Sequence, residues 1–468
     1  MQIYNTMSRK KEDFVPVEAG KLKLYACGPT VYNYFHIGNA RAFIFFDVVR
    51  RYFEYLGYDV TYVQNITDID DKIIAQSIEE KKEFSTIADK YSKAFLDDCE
   101  RLGIKKPHHQ PRATEVMADI IQIIDAQVKN GHAYESGGDV YFDAESLPAY
   151  GSLSGKKLED QMAGARVEEN KLKKNPADFT LWKKSKPGEP FWSSPWGEGR
   201  PGWHSECVVM SQKYLGETFD IHGGGIDLVF PHHENELAQA LATTGKPLAN
   251  YWMHNGFLNI EGEKMSKSLN NFFTARDILE QHSAEAIRFF FLSKHYRSPI
   301  DFNREIIAES ERAIGNIYSA LKSLLAESAK TPEELLKLEI KNPELVEELQ
   351  TFKAAMDDDF NTARAIAVLF DLTRVIKNQN RDLVDREEAA ALLLQSGAAL
   401  GFFQNTELLL ETRMPDLSRQ LIDLIVSYRT KARTDKDWSL SDKIRDDLAS
   451  LGIELKDSKE GCTWTIKG

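Results

Sequence analysis

Two short segments carry residue types suited to polyphosphate chemistry. His36-Ile37-Gly38-Asn39 lies between a strand-like run and a helix-like one. A helix N-terminus offers unpaired N–H groups and the positive end of a dipole, both suited to phosphate. Gly38 lets a nucleotide approach the backbone closely, and His36 can donate to phosphate oxygens. Lys264-Met265-Ser266-Lys267-Ser268 follows the stretch NGFLNIEGE. Two lysines and two hydroxyls in so short a run can surround a polyphosphate and stabilise the charge of a departing pyrophosphate. Taken singly, each segment is also what an ordinary helix start or a solvated loop contains.

A third constellation has metal-binding character: Cys27, Cys207, His232 and Glu236. His232 and Glu236 are four apart, so on a helix they share a face. Thiolate and imidazole suit zinc, and a carboxylate can complete such a site. The plainer reading of either cysteine is a small buried hydrophobe, and of His232 a helix cap. The run His232-His233-Glu234-Asn235-Glu236 is not a metalloprotease motif, because Leu237 stands where H-E-x-x-H needs its second histidine. The remaining cysteines are Cys99 and Cys462; no C-x-x-C pair occurs, so reduced thiols are expected.

These residues need elements to place them. Residues 21–25 read as a strand, CGPT as a turn, and Gly38 to Leu56 as a helix with Phe43, Phe46, Val49, Phe53 and Leu56 on one stripe, ended by Gly57. A strand at 59–63 completes a strand–helix–strand unit, expected to be parallel and right-handed. Residues 85–130 read as helical and 138–200 as irregular, rich in Gly, Pro, Trp and Lys. Strand signals return at 218–222, before Gly223-Gly224-Gly225. From about 305 to 400 the periodicity is helical, and 415–468 mixes helix with short apolar strands such as CTWTI.

A chain of 468 residues predicts two to four domains. Hydrophobic content of 42% and charged content of 28% are those of a soluble globular protein. The first residues lack an apolar secretory core and no run is long enough to span a bilayer, so a cytoplasmic location without membrane attachment is expected. The net charge of −13 excludes RNA binding by overall charge; a bound RNA would need a local basic face.

In their order and separation, HIGN and KMSKS resemble the two signatures of class I aminoacyl-tRNA synthetases, with Asn39 where the general signature has histidine. The stretches CGPTVYNYFHIGNAR, NITDIDDKI, PGWHSEC, DIHGGGIDLVFPHHENE, KMSKSLNN and FKAAMDDDFNTARA resemble the cysteinyl-tRNA synthetase family, over essentially the whole chain. The resemblance implies an α/β fold: a Rossmann-type parallel-sheet catalytic domain split by a connective insertion, then a helical bundle and a small mixed C-terminal anticodon-binding domain. The implied boundaries are 1–120 and 201–264 for the catalytic halves, 121–200 for the insertion, and 265–304 for the KMSKS loop and stem-contact region. The tRNA-binding bundle is 305–405 and the anticodon domain 406–468.

The resemblance further implies one zinc per chain on Cys27, Cys207, His232 and Glu236, magnesium with ATP, and a monomer acting on ATP, L-cysteine and tRNA(Cys). Cys99 and Cys462 match no ligand position. His36, Asn39, Lys264 and Lys267 would be catalytic, and Gly38, Ser266 and Ser268 would join them in holding ATP. Thr67, Trp203, His222 and His233 would line the cysteine pocket, and Arg433, Trp438, Asp442 and Asp457 would contact the anticodon. Some members are credited with forming cysteine persulfides through a lysine motif beginning KIIA; here it reads Lys72-Ile73-Ile74-Ala75-Gln76, with glutamine where arginine is usual.

The implied reaction forms cysteinyl-adenylate and pyrophosphate, then moves cysteine to the 3′ end of the tRNA. Serine is the difficult competitor, since packing separates near-isosteres by a factor of about 100 or less, whereas thiolate is much the softer zinc ligand. Four protein ligands normally close a zinc site, so the substrate sulfur would add a fifth bond or displace one ligand, Glu236 being a candidate. Two alternatives stay open on the residues alone. One is a ligase that joins cysteine to an amino sugar, which would not need the helical and C-terminal regions. The other is a non-catalytic zinc-stabilised RNA-binding protein, which would not need the two phosphate segments.

Overall fold

An antiparallel pair, β1 (Gln2–Asn5) and β2 (Lys10–Asp13), precedes β3 (Lys21–Ala26), α1 (Ile37–Tyr55) and β4 (Asp59–Gln64). β3 and β4 pair in parallel, Lys21 opposite Asp59 through Ala26 opposite Gln64, as the strand–helix–strand reading requires. α1 starts where sequence reasoning puts it because His36 caps it: its side chain accepts the Asn39 N–H. The stripe of Phe43, Phe46, Val49 and Phe53 is buried, and Gly57 takes a φ of +87°, the left-handed turn that favours glycine. The structure, a computed structural model, describes residues 1–156, 172–260, 263–264, 273–404, 409, 416–458 and 461–466.

Next come α2 (Asp71–Glu80), α3 (Phe84–Arg101) and α4 (Met117–Lys129). The helical stretch expected over 85–130 is therefore two helices. Gly103 at φ +65° stops the first, and Pro107 and Pro111 lie in the extended segment that follows. The expectation of irregular structure over 138–200 is also corrected. β5 (Ala133–Ser136), β6 (Asp139–Phe142), β7 (Phe179–Lys184), β8 (Trp192–Ser194) and β9 (Gly197–Pro201) form an antiparallel sheet in the order β5-β6-β7-β9-β8. Its strands are short and one pairing is bulged at Val140/Tyr141, so no clean alternation marks them in sequence.

α5 (Trp203–Leu215), β10 (Phe219–Gly225), α6 (Glu234–Thr244) and β11 (Ala249–Asn255) complete the parallel sheet, whose order is β11-β10-β3-β4. The three glycines are part of β10. A Cβ on Gly223 would lie 2.2 Å from the Phe46 ring, and one on Gly224 would lie 2.8 Å from the His233 ring. A bare backbone is what lets α1 and His233 close on the strand. The core under this sheet joins Tyr25 and Val63 to Ile120 and Ile124 of α4, Trp182 of β7, Val208 of α5 and Trp252 of β11. Each such side chain contributes roughly 1.5–3 kcal/mol by burial.

β12 (Leu258–Ile260), β13 (Glu263–Lys264), α7 (Ala275–Leu279), α8 (Ala284–Leu292) and β14 (Ile300–Phe302) follow. Buried Asp47 of α1 accepts from Arg51 (2.7 Å) and pairs with Arg288 of α8 (2.8 Å). That triad ties the sheet-covering helix to the later segment, and removing one member would cost about 3–5 kcal/mol by stranding buried charge. The helices α9 (Arg304–Leu325), α10 (Pro332–Leu336), α11 (Pro343–Asp357), α12 (Thr362–Lys377) and α13 (Leu383–Ala399) give the expected bundle.

The chain divides into two units, Met1–Thr406 and Glu407–Gly468. In the second, α14 (Asp416–Thr434) and α15 (Trp438–Ser450) pack with the antiparallel pair β15 (Ile453–Ser458) and β16 (Gly461–Ile466) around Ile422, Val426, Leu448 and Ile453. Among the described residues no helix is long and apolar enough to cross a membrane.

Candidate active site and metal centre

In the parallel sheet the chain leaves β3 toward β4 on one side and returns as β10 on the other. Ligands bind at such a switch point, beyond the carboxyl ends of the strands. Cys27 follows β3 directly and its N–H donates to the Gly223 carbonyl of β10 (3.1 Å). Cys207 lies one turn into α5, His232 just before α6, and Glu236 in the first turn of α6.

The structure brings these four together, all buried, with their donor atoms within 4.8 Å of one another. The two sulfurs are 3.9 Å apart, Cys207 Sγ is 3.7 Å from His232 Nε2, and Glu236 Oε1 is 2.8 Å from the same nitrogen. Two thiolates on a tetrahedral ion at 2.3 Å stand about 3.8 Å apart, so the sulfur spacing already fits a metal. A second set, Cys27, His222, His233 and Glu236, meets the same limit and shares two members with the first.

Inside the cluster a buried carboxylate is kept ionised by a protonated imidazole, a proton that a bound metal ion would displace. Burial works against a charge on Glu236, yet His232 and His222 hold its carboxyl well below the usual range. Burial likewise opposes protonation of His232, but the Glu236 charge overcomes it and pushes the imidazole up to about 10. The Cys27 hydrogen bond brings Cys207 down to about 6, whereas burial, then the contact with Cys207, pushes Cys27 up. A carboxylate and a thiol ready to ionise, enclosed with little solvent, can be neutralised by a divalent ion.

The other predicted pocket residues surround this cluster. His222 Nε2 lies 2.7 Å from Glu236 Oε2, His233 Nε2 lies 3.3 Å from Cys27 Sγ, and Trp203 stacks on the His232 ring at 4.0 Å. Thr67 Oγ1 donates to Glu206 (3.0 Å). A cavity of about 350 Å³ runs from Cys27 and Trp203 to His36, Gly38 and Asn39, with Lys72 and Asp227 on its walls. Trp203 lines it, while Thr67, His222 and His233 are buried and are not among its lining residues.

Three neighbours were missed in the sequence. His254 of β11 bonds His233 Nδ1 (2.8 Å) and Thr6 (2.7 Å), and His204 Nδ1 lies 2.9 Å from His232 Nδ1. Glu206 is buried beside Cys207, and burial pushes its carboxyl well up. His204 and Glu206 sit inside PGWHSEC and could have been flagged with it; His254 had no local signal.

At the far end of the cavity, burial lowers His36 to about 4, so it is neutral at pH 7. Its Nδ1 accepts the Asn39 N–H (3.2 Å), which leaves the ring proton on Nε2 as a donor. Lys264 is the end of β13, its backbone paired with Asn259. Met265, Ser266, Lys267 and Ser268 lie outside the described residues. The segment after them is bonded beside His36: Ile37 N–H donates to the Phe273 carbonyl (3.0 Å), and Ala275 N–H to that of Phe35 (3.1 Å).

In the second unit, Trp438 is 57% exposed at the start of α15, and Asp442 is exposed. Asp457 is held by Arg429 (2.8 and 2.9 Å) and Arg433 (2.5 Å), with the hydrogen bond from Arg429 the first cause of its lowered pKa. Cys99 and Cys462 are free thiols in α3 and β16, outside the cluster.

Residues 13–312 match the tRNA synthetases class I (C) catalytic domain, and residues 351–404 match the DALR domain. The chain is 49% identical to a cysteine–tRNA ligase of Pelobacter propionicus, covering 100% of both, and 48% identical to one of Clostridioides difficile, covering 99% of both. A structure of Mycobacterium tuberculosis methionyl-tRNA synthetase with methionyl-adenylate shares its fold: TM-score 0.58 and 14% identity over 87% of this chain and 94% of that one.

Proposed function

From the premise that the chain belongs to the cysteine–tRNA ligases, class I aminoacyl-tRNA synthetases, we propose that it activates L-cysteine with ATP in the cytoplasm and transfers it to the 3′ end of tRNA(Cys). One observation carries the choice of amino acid: two thiols, an imidazole and a carboxylate are buried together, and one of the thiols, Cys27, lines the cavity that also holds His36, Gly38 and Asn39.

The cysteine carboxylate attacks the α-phosphate of ATP, and pyrophosphate leaves. The substrate supplies its own nucleophile, so the protein positions and neutralises. Neutral His36 donates from Nε2 to a phosphate oxygen, Gly38 admits the nucleotide, and Asn39 lies beside it. Lys264, Ser266, Lys267 and Ser268 hold the pyrophosphate as it departs, with magnesium accompanying ATP. Trp203 forms the wall at the amino-acid end, and His222, His233 and Thr67 shape the pocket from behind it. Zinc on Cys27, Cys207, His232 and Glu236 would supply a soft centre that prefers the sulfur of cysteine to the oxygen of serine. A ribose hydroxyl at the end of the tRNA then attacks the carbonyl of the cysteinyl-adenylate, forming the ester and releasing AMP.

In this assignment 1–120 and 201–264 are the catalytic halves, 121–200 the insertion, 265–304 the stem-contact region and 305–405 the tRNA-binding bundle. Residues 406–468 read the anticodon through Arg433, Trp438, Asp442 and Asp457, as unpaired bases are read by stacking and edge hydrogen bonds. Cysteine-dependent ATP–pyrophosphate exchange is the test, run beside serine. Exchange with cysteine alone is expected, together with a new sulfur-to-metal band when cysteine is added to the cobalt-substituted protein. An active protein whose metal spectrum ignores cysteine would sink the metal as the basis of selectivity; no exchange at all would sink the reaction.

A further inference from the structure

Arg41 lies on α1, the helix that His36 caps and that carries Asn39, and is 2% exposed. Its Nη1 donates to the carbonyls of Gly256 (2.7 Å) and Phe257 (2.9 Å). Its Nη2 donates to those of Ser298 (2.6 Å), Tyr296 (3.1 Å) and His295 (3.4 Å). All five acceptors are backbone carbonyls rather than carboxylates. Burial draws the guanidinium down to about 10, the mark of a cation enclosed by dipoles alone. The planar fork is the feature that fits, since it aims several donors in fixed directions at once.

The carbonyls belong to two stretches with a common destination. Gly256 and Phe257 lead into β12, and His295 to Ser298 lead into β14, which pairs with β12 in parallel. Gly256 N–H also donates to the Tyr296 carbonyl (2.8 Å), and a Cβ on Gly256 would lie 2.6 Å from the Arg297 carbonyl oxygen, so the two stretches can touch only through glycine. β12 in turn pairs with β13, placing Asn259 opposite Lys264. Asn255 to Leu258 line the cavity that holds His36 and Asn39.

We propose that Arg41 is a positioning residue for the activation step, a role that presupposes the adenylate-forming reaction proposed above. It fixes β12, and through β12 the backbone of Lys264, against the helix that carries His36 and Asn39. Phosphate-binding groups from opposite halves of the sequence are thereby set in one geometry before ATP arrives. Arg41 touches no reacting atom; its effect is on the rate constant of adenylate formation, where a displacement of one ångström is costly.

The test uses the full-length chain with Arg41→Lys and Arg41→Met. Single-turnover adenylate formation is followed at rising ATP, cysteine binding by the cobalt spectrum, and folding by thermal unfolding. The rate constant at saturating ATP should fall about 100-fold in Arg41→Met, the loss expected of misplaced reacting groups, and by less in Arg41→Lys, which keeps a charge but loses the fork. Cysteine affinity should stay within about twofold in both, because the cysteine end of the cavity is built by other elements. A lower melting temperature with an unchanged rate constant in the folded fraction overturns the proposal, as does a parallel loss of cysteine affinity. If Arg41→Met does not fold, Arg41→Lys decides alone, and a parental rate constant in it is equally fatal. A parent chain without cysteine-dependent exchange would instead refute the reaction itself.

Discussion

Glu236 and Asp457 are both carboxylates gripped by two basic side chains, and they are built for opposite purposes. Glu236 is wholly buried between His222 and His232. Asp457 keeps 38% of its side chain exposed between Arg429 and Arg433. Imidazole can release its proton and offer a lone pair, so the partners of Glu236 can exchange a hydrogen bond for a metal bond. Guanidinium cannot, so the arginines around Asp457 form a standing brace from α14 to the terminal strand pair. One network can give up a hydrogen bond to a ligand, and the other keeps its charges paired. In the second unit Trp438 and Asp442 face solvent, whereas Arg433 and Asp457 meet each other first.

The largest effect is expected of Cys207→Ser. If the first cluster exists to hold a metal, the variant should lose the ion and cysteine activation together, because three remaining ligands bind poorly. Metal analysis beside exchange assays reads both; retained activity without metal would make the cluster a plain ion-pair network. Lys267→Ala should slow adenylate formation by roughly 100-fold, in the range of a lost transition-state donor, with cysteine affinity unchanged. Stopped-flow activation kinetics decide, and a parental rate removes Lys267 from the chemistry.

Trp438→Ala should weaken kcat/KM for tRNA by about 1–3 kcal/mol, the value of one stacked base, and leave exchange intact. Loss of both activities would give Trp438 a folding role. The mildest effect concerns His36. Its native pKa of about 4 lies below the ordinary 6.5, so between those values the unfolded chain takes up a proton that the folded chain refuses. Stability should therefore fall as pH drops from 6.5 toward 4, with no contribution from His36 above 6.5. An NMR titration of the imidazole with its midpoint near 6.5 would remove the buried neutral donor.

How much of this was legible depended on whether the deciding contacts are local. α1 was readable from its 3.6-residue stripe, because that pattern and the burial it causes are one fact. The four cluster residues could be named from their chemistry and the family resemblance, and Trp203, His222 and His233 beside them from the resemblance, but His204, Glu206 and His254 were not. His254 reaches His233 because sheet register sets Gly224 beside His254, and no spacing along the chain encodes that. The Asp457 pairings were hidden for the same reason. The antiparallel sheet between β5 and β9 was missed because its strands are short, bulged and separated by glycine and proline turns. Nothing in the local sequence distinguishes Arg41; only tertiary structure surrounds it with carbonyls.

The strand order β11-β10-β3-β4 also has a history in time. During synthesis β3 finds β4 after a single helix, but its other edge waits, unpaired, until the whole insertion and α5 have been made. An open edge on a nascent strand invites the wrong neighbour. Cys27, at the end of that strand, waits as well, since Cys207, His232 and Glu236 all belong to the later half. Capture of an ion by the four residues can therefore occur only once β10 has arrived and the edge has closed. On a ribosome, metal uptake would mark the moment at which the two halves of the sheet become one, and a cell starved of the ion would lose that latch while the chain is most exposed to aggregation.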